Sequence, residues 1–253
     1  MRGGAVSLTV LTVLTVLPVL RSLPALLALI AAAAQAQPAP LVAADGRLGE
    51  GWKVVGLPQQ KPPLTRYRAE RVDGRDAVRI EADGSYGNLT FELRGQPAPR
   101  RLRWAWRMVE PNPQADLSRR EGDDTAARVC LAFDLPLDRV PLLERPLMAM
   151  ARARAGDALP SATLCWVWGR GEPPRSLLDN PYTRRVRYIV LRTQADAAGT
   201  WFDEERDVAA DWARAFGRES AAVPPLVAAI VAADADNTAA RSIAHVTDLR
   251  FEP

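Results

Sequence analysis

The carboxylates of this sequence gather in a few short segments: Asp123 and Asp124 before a strand-like run that ends at Asp134, the DEERD run from Asp203 to Asp207 with Glu205 and Arg206 inside it, Asp211, and Asp234, Asp236 and Asn237 in DADNT. Two carboxylates at a suitable separation can hydrolyse a glycosidic bond, one as acid and the other as nucleophile or base. Loops at strand ends are where a rigid scaffold presents such groups. The DADNT segment also invites a calcium test, because calcium takes oxygen ligands from side chains of this kind. As a twelve-residue calcium loop it begins acceptably at Asp234, Asp236 and Thr238. It then has Ala239 where the turn glycine belongs and His245 where the closing glutamate belongs, so an EF-hand is excluded. A looser calcium site at Asp234 and Asp236 stays open beside the alternative of an Asx-type turn bonding its own backbone.

Other chemistries lack the residues they need. His245 is the only histidine, so any Ser-His or Cys-His nucleophile would have to use it. It lies in SIAHVTDLRF on a face shared with Ile243, Thr247, Leu249 and Phe251, which reads as a packed strand position. One histidine and two separated cysteines give no zinc cluster. No glycine-rich loop of the GxGxxG or GxxxxGK type is present, so a nucleotide site has no support. Trp104 and Trp106, and again Trp166 and Trp168, stand at i, i+2 and read first as core. Trp168 is also a candidate sugar platform, because Gly169-Arg170-Gly171 follows it like a strand end meeting a loop.

These side chains need strands to position them, and most of the chain reads with period two. In RLRWAWRMV, Leu102, Trp104, Trp106 and Met108 alternate with Arg101, Arg103, Ala105 and Arg107, the pattern of a strand with one buried face. Strand-like segments recur at 52–57, 65–72, 77–82, 88–94, 125–133, 162–168, 186–192, 200–205, 226–232 and 242–251, several of them separated by turn-rich pieces such as DGRD and DGSYGN. Helices are expected only at 142–155 and 208–216, the second with Asp207 as N-cap and Gly217 as stop. The fold class is therefore all-β: a jelly-roll-like β-sandwich of two mainly antiparallel sheets with one or two short helices. Cys130 and Cys165 fall in two of the strands and could be cross-strand neighbours, bridged or left as buried thiols.

The first 36 residues read as processing. Arg21 precedes an apolar run that ends in Ala34-Gln35-Ala36 and a proline-rich break, the three parts of a cleavable export signal. Pro18, Arg21 and Pro24 interrupt the run before it reaches the roughly 20 apolar residues of a spanning helix. The repetitive segment 8–20 is odd for the start of a signal, and translation from Met1 or from near Val19 are both open. The expected organisation is a signal at 1–36, a flexible mature start at 37–50 and one β-sandwich domain at 51–253, periplasmic or secreted, with no stable membrane span after cleavage. Losing Arg2 and Arg21 takes the 33 basic residues to 31 against 30 acidic ones, about +1 instead of +3. That balance gives no reason to expect a nucleic-acid partner, which needs a dense basic face.

Taken in order, GDDTAARVCLAFDLPL, LCWVWG, YTRRVRYIVLRT, GTWFDEERDVAADWARAFG and VAADADNTAARSIAHVTDLRF resemble the bacterial envelope family called domain of unknown function 3047, over roughly residues 51–251. The resemblance implies a sandwich similar to the jelly rolls of carbohydrate-binding modules. It implies no established activity. The family's recurrent polar positions fall on Asp123, Asp124, Arg128, Asp134, Trp168, Glu205, Arg206, Asp207, Asp211, Asp234, Asp236, Asn237 and Thr238. An aromatic is more usual in that family at the places of Cys130 and His245, so neither residue is implied to be a required functional group, nor a Cys130–Cys165 bridge a family requirement. The expected function is non-catalytic binding of a glycan or another polar envelope component, with no cofactor. A carbohydrate-active hydrolase or lyase using two of Asp123, Asp124, Asp134, Glu205 and Asp234 is the first alternative, and a structural or protein-binding envelope component the second.

Overall fold

Alternation along the strands decides the architecture, because each run with one apolar face has to bury that face against another. The computed structural model describes residues 37–155 and 159–253, so the leader expected at 1–36 lies outside the described residues. Seven strands form one sheet in the order β1 (Lys53–Val55), β4 (Asn88–Glu92), β11 (Leu226–Ala232), β6 (Ala127–Phe133), β7 (Ala162–Trp168), β9 (Val186–Arg192) and β8 (Leu177–Asp179). The second sheet runs β10 (Trp201–Asp207), β5 (Arg101–Glu110), β12 (Arg241–Val246), β3 (Arg75–Asp83) and β2 (Arg66–Val72), and β13 (Arg250–Glu252) also pairs with β5. All pairings are antiparallel except β7 with β9. The protein is a jelly-roll-like β-sandwich.

The inner faces meet through tryptophan. Trp104 of β5 lies 5.7 Å from Trp166 of β7, and Trp106 lies 5.5 Å from Trp168, ring centre to ring centre. All four are buried, as the i, i+2 spacing predicts for a core face. Phe133, Trp212 and Phe216 extend this core under the helix α2 (Val208–Phe216). Asp207 caps that helix by accepting from the Ala210 amide at 2.9 Å, and Gly217 follows its last turn. The other helix, α1 (Arg145–Ala155), begins three residues later than the composition predicts, with Pro146 in its first turn, where a missing N–H costs nothing.

Two details differ from the sequence pattern, and a third resolves a choice that it left open. The run 242–251 divides: regular pairing stops at Val246, Thr247 hydrogen-bonds Ala105 through both backbone and hydroxyl, and β13 resumes along the same edge of β5. Residues 37–50, expected to be flexible, are tied to the sandwich: Leu41 is fully buried and its amide donates to Asp248 Oδ1 at 2.6 Å, while Trp52 Nε1 donates to the Ala39 carbonyl. Finally, Cys130 and Cys165 stand directly opposite each other in the β6–β7 register and form a disulfide, buried on the outer face of the seven-stranded sheet with Leu117, Val167, Tyr188 and Val190.

Candidate functional site

Two places gather chemistry, and the pairing of β6 with β11 builds the first. Arg128 is opposite Ala232, so the loop entering β6 and the loop leaving β11 emerge side by side. The GDDT and DADNT segments, more than a hundred residues apart in sequence, meet there. Arg128 Nη1 lies 2.5 Å from Asp234 Oδ2 with both residues buried, and its other terminal nitrogen donates to Asn88 Oδ1 at 2.9 Å. Asp234 Oδ1 accepts from the Thr125 amide at 2.6 Å and the Thr125 hydroxyl at 2.9 Å. Asp124, fully buried, accepts from the Asn237 and Thr238 amides at 3.1 and 2.8 Å and from the Thr238 hydroxyl. These two carboxylates hold the loops in place, as buried charges must when they are paired and hydrogen-bonded.

Asp123 and Asp236 differ. Asp123 accepts from Asn180 Nδ2 and, at 3.1 Å, from the Tyr188 hydroxyl, with no cation in contact. Burial first, then the charge of Asp234, pushes its carboxyl up to about 7. The same two causes, with Asp124 third, push Asp236 up to about 6, and its Oδ1 is buried without a hydrogen-bond partner. The donor set does not suit calcium, because the Arg128 guanidinium already occupies the space beside Asp234 that a cation would need. Among the described residues no group of three or more His, Cys, Asp or Glu side chains is arranged to hold a metal ion.

Asp123, Asp124, Arg128, Asp234, Asp236, Asn237 and Thr238 thus share one network, and the other sequence candidates lie elsewhere. Asp134, at the far end of β6, pairs with Arg152 at 2.6 Å. Arg206 grips Asp211 through two bonds of 2.8 and 2.7 Å, and Asp211 also accepts from Trp166 Nε1 at 2.7 Å. Trp168 is no platform: its ring packs on Trp106 and Phe202, and its Nε1 donates to the Thr193 carbonyl. The glycines after it do mark a strand end, but the ring points inward. Glu205 projects from the outer face of the six-stranded sheet, 3.2 Å from Arg101 and 2.7 Å from Arg103.

That outer face is the second place. The arginines that alternate with the core residues of β5 project onto it, where Glu205 of β10 is opposite Arg103 and Asp203 is opposite Ala105. Side chains from β10 also meet the β2–β3 turn: Arg75 pairs with Asp203 at 2.9 Å, Trp201 Nε1 donates to Asp73 Oδ2 at 3.1 Å, and the Arg75 guanidinium lies 5.3 Å from the Trp201 ring centre. In a flat sheet β10 and β3 would stand about 14 Å apart, three strand spacings. Contact across that span requires the sheet to curl, which makes its outer face concave. Beside this strap lies a groove of about 690 Å³ lined by Arg75, Arg103, Arg250, Asp203, Glu205 and Thr247 among others. Of these residues the sequence pattern singled out Glu205 and, as the start of the DEERD run, Asp203. Arg103 was visible as the polar half of an alternating strand, but nothing local distinguishes a groove wall from an ordinary solvated face.

Residues 50–250 match the model of the family described as a protein of unknown function (DUF3047). The chain belongs to that family. No curated protein matches the sequence. Among solved structures, the X-ray structure of Trichoderma harzianum endoglucanase 3 from family GH12 is similar, at 10% identity over 86% of this chain and 96% of that one, with a TM-score of 0.43.

For this DUF3047 member the two places offer different chemistry. The loop network is a set of satisfied hydrogen bonds with one unpartnered oxygen, lipped by the exposed Tyr182, whose hydroxyl donates to Asn237 Oδ1 at 2.7 Å. The groove is open, and its arginines and carboxylates alternate as fixed donors and acceptors. Guanidinium and carboxylate groups both bind pairs of neighbouring hydroxyls well. Among the described residues no helix is long and apolar enough to cross a membrane.

Proposed function

We propose that the protein is exported to the periplasm or beyond and there binds a polyhydroxylated ligand, a glycan or a related envelope component, in the groove of the concave sheet, without chemical turnover. The observation that carries this reading is the strap-bounded groove, in which Arg75, Arg103 and Arg250 stand among Asp203 and Glu205. Its carboxylates are paired with arginines, which suits them to accept hydrogen bonds from hydroxyls. A glycosidase needs in addition a carboxylic acid poised to give up a proton near neutral pH. The acids pushed upward here, Asp123 and Asp236, belong to the loop network and not to the groove.

In this reading the loop network is scaffold. Asp124, Asp234 and Arg128 fix the ends of β6 and β11, and Tyr188 and Asn180 seal Asp123 against the outer face of the seven-stranded sheet. The test is a thermal-shift and calorimetric panel of envelope glycans against the purified protein. The expected result is a raised melting temperature with one ligand class and recovery of that ligand unchanged. Release of new reducing ends or unsaturated sugars would make the protein an enzyme instead. An absence of any shift across the panel would remove the glycan reading.

A further inference from the structure

One row of side chains crosses the concave face from edge to edge. Arg68 of β2 is directly opposite Arg79 of β3, Arg79 is opposite His245 of β12, His245 is opposite Arg107 of β5, and Arg107 is opposite Trp201 of β10. Directly paired residues point to the same side of a sheet, and like charges placed so are destabilising.

Carboxylates are near, but none is within hydrogen-bond reach of a guanidinium of the row. Glu81 is bonded by Arg66 at 2.8 Å and by Arg241 at 2.7 Å, which leaves Arg68 and Arg79 each 3.9 Å from it, beyond hydrogen-bond reach. Asp73 accepts from Trp201 and stands 3.8 Å from Arg107. Glu70 is 3.3 Å from His245 Nε2. Among the described residues neither Arg68 nor Arg79 makes a side-chain hydrogen bond, and Arg107 makes only that from Nε to the Gly199 carbonyl. Arg79 Nε and His245 Nδ1 are buried without partners, and His245 is 2% exposed. The guanidiniums still reach solvent, with side-chain exposures of 70% for Arg68, 20% for Arg79 and 23% for Arg107.

The row also sits between two hollows. Arg66, Arg68 and Glu81 line a second groove of about 520 Å³ at one end of β3, and the groove with Arg75 opens at the other end of the same strand. An extended ligand lying from one to the other would cross the row.

We propose that the guanidiniums of Arg68, Arg79 and Arg107 in this row bind the anionic groups, carboxylate or phosphate, of a polyhydroxylated chain laid along the concave face, with Trp201 at the end of the row and the buried His245 as its floor. This rests on the groove reading above and narrows its ligand to an acidic one. Each guanidinium offers several donors in a planar fork that matches a carboxylate or phosphate.

The experiment is calorimetric titration with hexagalacturonate, with the same oligomer as its methyl ester, and with an oligomer of glycerol phosphate, repeated on Arg68→Gln and Arg107→Gln. The expected result is binding of one or both anionic oligomers at least about tenfold tighter than the ester, weakening as salt rises, and about tenfold lost in each variant. Whichever anionic oligomer binds assigns the source of the charge. Arg68→Gln, which breaks no hydrogen bond, should melt near the parent temperature, and Arg107→Gln, which gives up its bond to the Gly199 carbonyl, slightly below it with the fold intact. Equal affinity for acid and ester, or variants that bind the acid as tightly as the parent, would overturn the charge assignment while leaving the groove reading in place. Failure of all three oligomers to bind would overturn the acidic-ligand assignment, and the groove reading falls with it only if the wider glycan panel also gives no shift.

Discussion

Replacing Asp123 with asparagine should stabilise the protein at pH 8 and leave it nearly unchanged at pH 4. Asp123 is 6% exposed and its carboxyl bonds Asn180 and Tyr188, and burial with the neighbouring Asp234 raises it from 3.8 to about 7. Between these values the folded protein holds a proton that the unfolded chain has released, so raising the pH favours unfolding across that window and levels off above about 7. At about 1.4 kcal/mol per pH unit the full cost of ionising the buried group is about 4 kcal/mol. Asparagine removes the charge while its side-chain carbonyl keeps an acceptor for Asn180 Nδ2 and the Tyr188 hydroxyl. Thermal or urea denaturation from pH 4 to pH 8 measures the effect, and a gain of roughly 10 °C at pH 8 is expected for a chain of this size. A variant less stable than the parent at pH 8, or a difference that does not change with pH, would refute the claim that Asp123 is a desolvated acid.

Truncating Arg128 to alanine leaves Asp234 buried without its partner and should cost roughly 3–5 kcal/mol, read as a fall in urea midpoint. Breaking the Cys130–Cys165 bridge with paired serine substitutions opens a loop of sequence separation 35 and should cost about 4 kcal/mol, with the parent falling to the same melting temperature under strong reductant. Asp207→Ala removes the cap of α2 and should cost about 1 kcal/mol without altering ligand affinity, since Asp207 is not among the groove residues.

The strand framework was legible wherever one face carries large apolar side chains. Leu102, Trp104, Trp106 and Met108 of β5 announce themselves by period two, and α2 by its cap and stop. The short β8 was not legible: Leu177–Asp179 has too few residues for a period and holds its place through pairing with β9. The loop network could be guessed only in part. GDDT and DADNT each look like turns, and their meeting depends on the register of β6 against β11, which no local signal encodes. The groove was least legible, because it depends on curl. Arg75 and Asp203 meet across two intervening strands, a long-range consequence of the whole sheet that neither DGRD nor DEERD reveals by itself. Trp168 shows the converse, where a correct local reading of a strand end gave the ring a role that core packing already fills.

The claim that the concave face is the ligand site is tested most directly by the tryptophan indole N–H signals in a ¹⁵N correlation spectrum during titration with hexagalacturonate. Trp201 is half-buried in the strap, whereas Trp52, Trp104, Trp106, Trp166, Trp168 and Trp212 are buried. Binding along the concave face predicts a saturable shift of the Trp201 indole, with Trp104, which lines the groove floor, the one other tryptophan expected to move. Saturable binding that leaves Trp201 unmoved, with shifts instead in the amides of Asp123 to Arg128 and Asp234 to Thr238, would contradict it and place the site at the loop network.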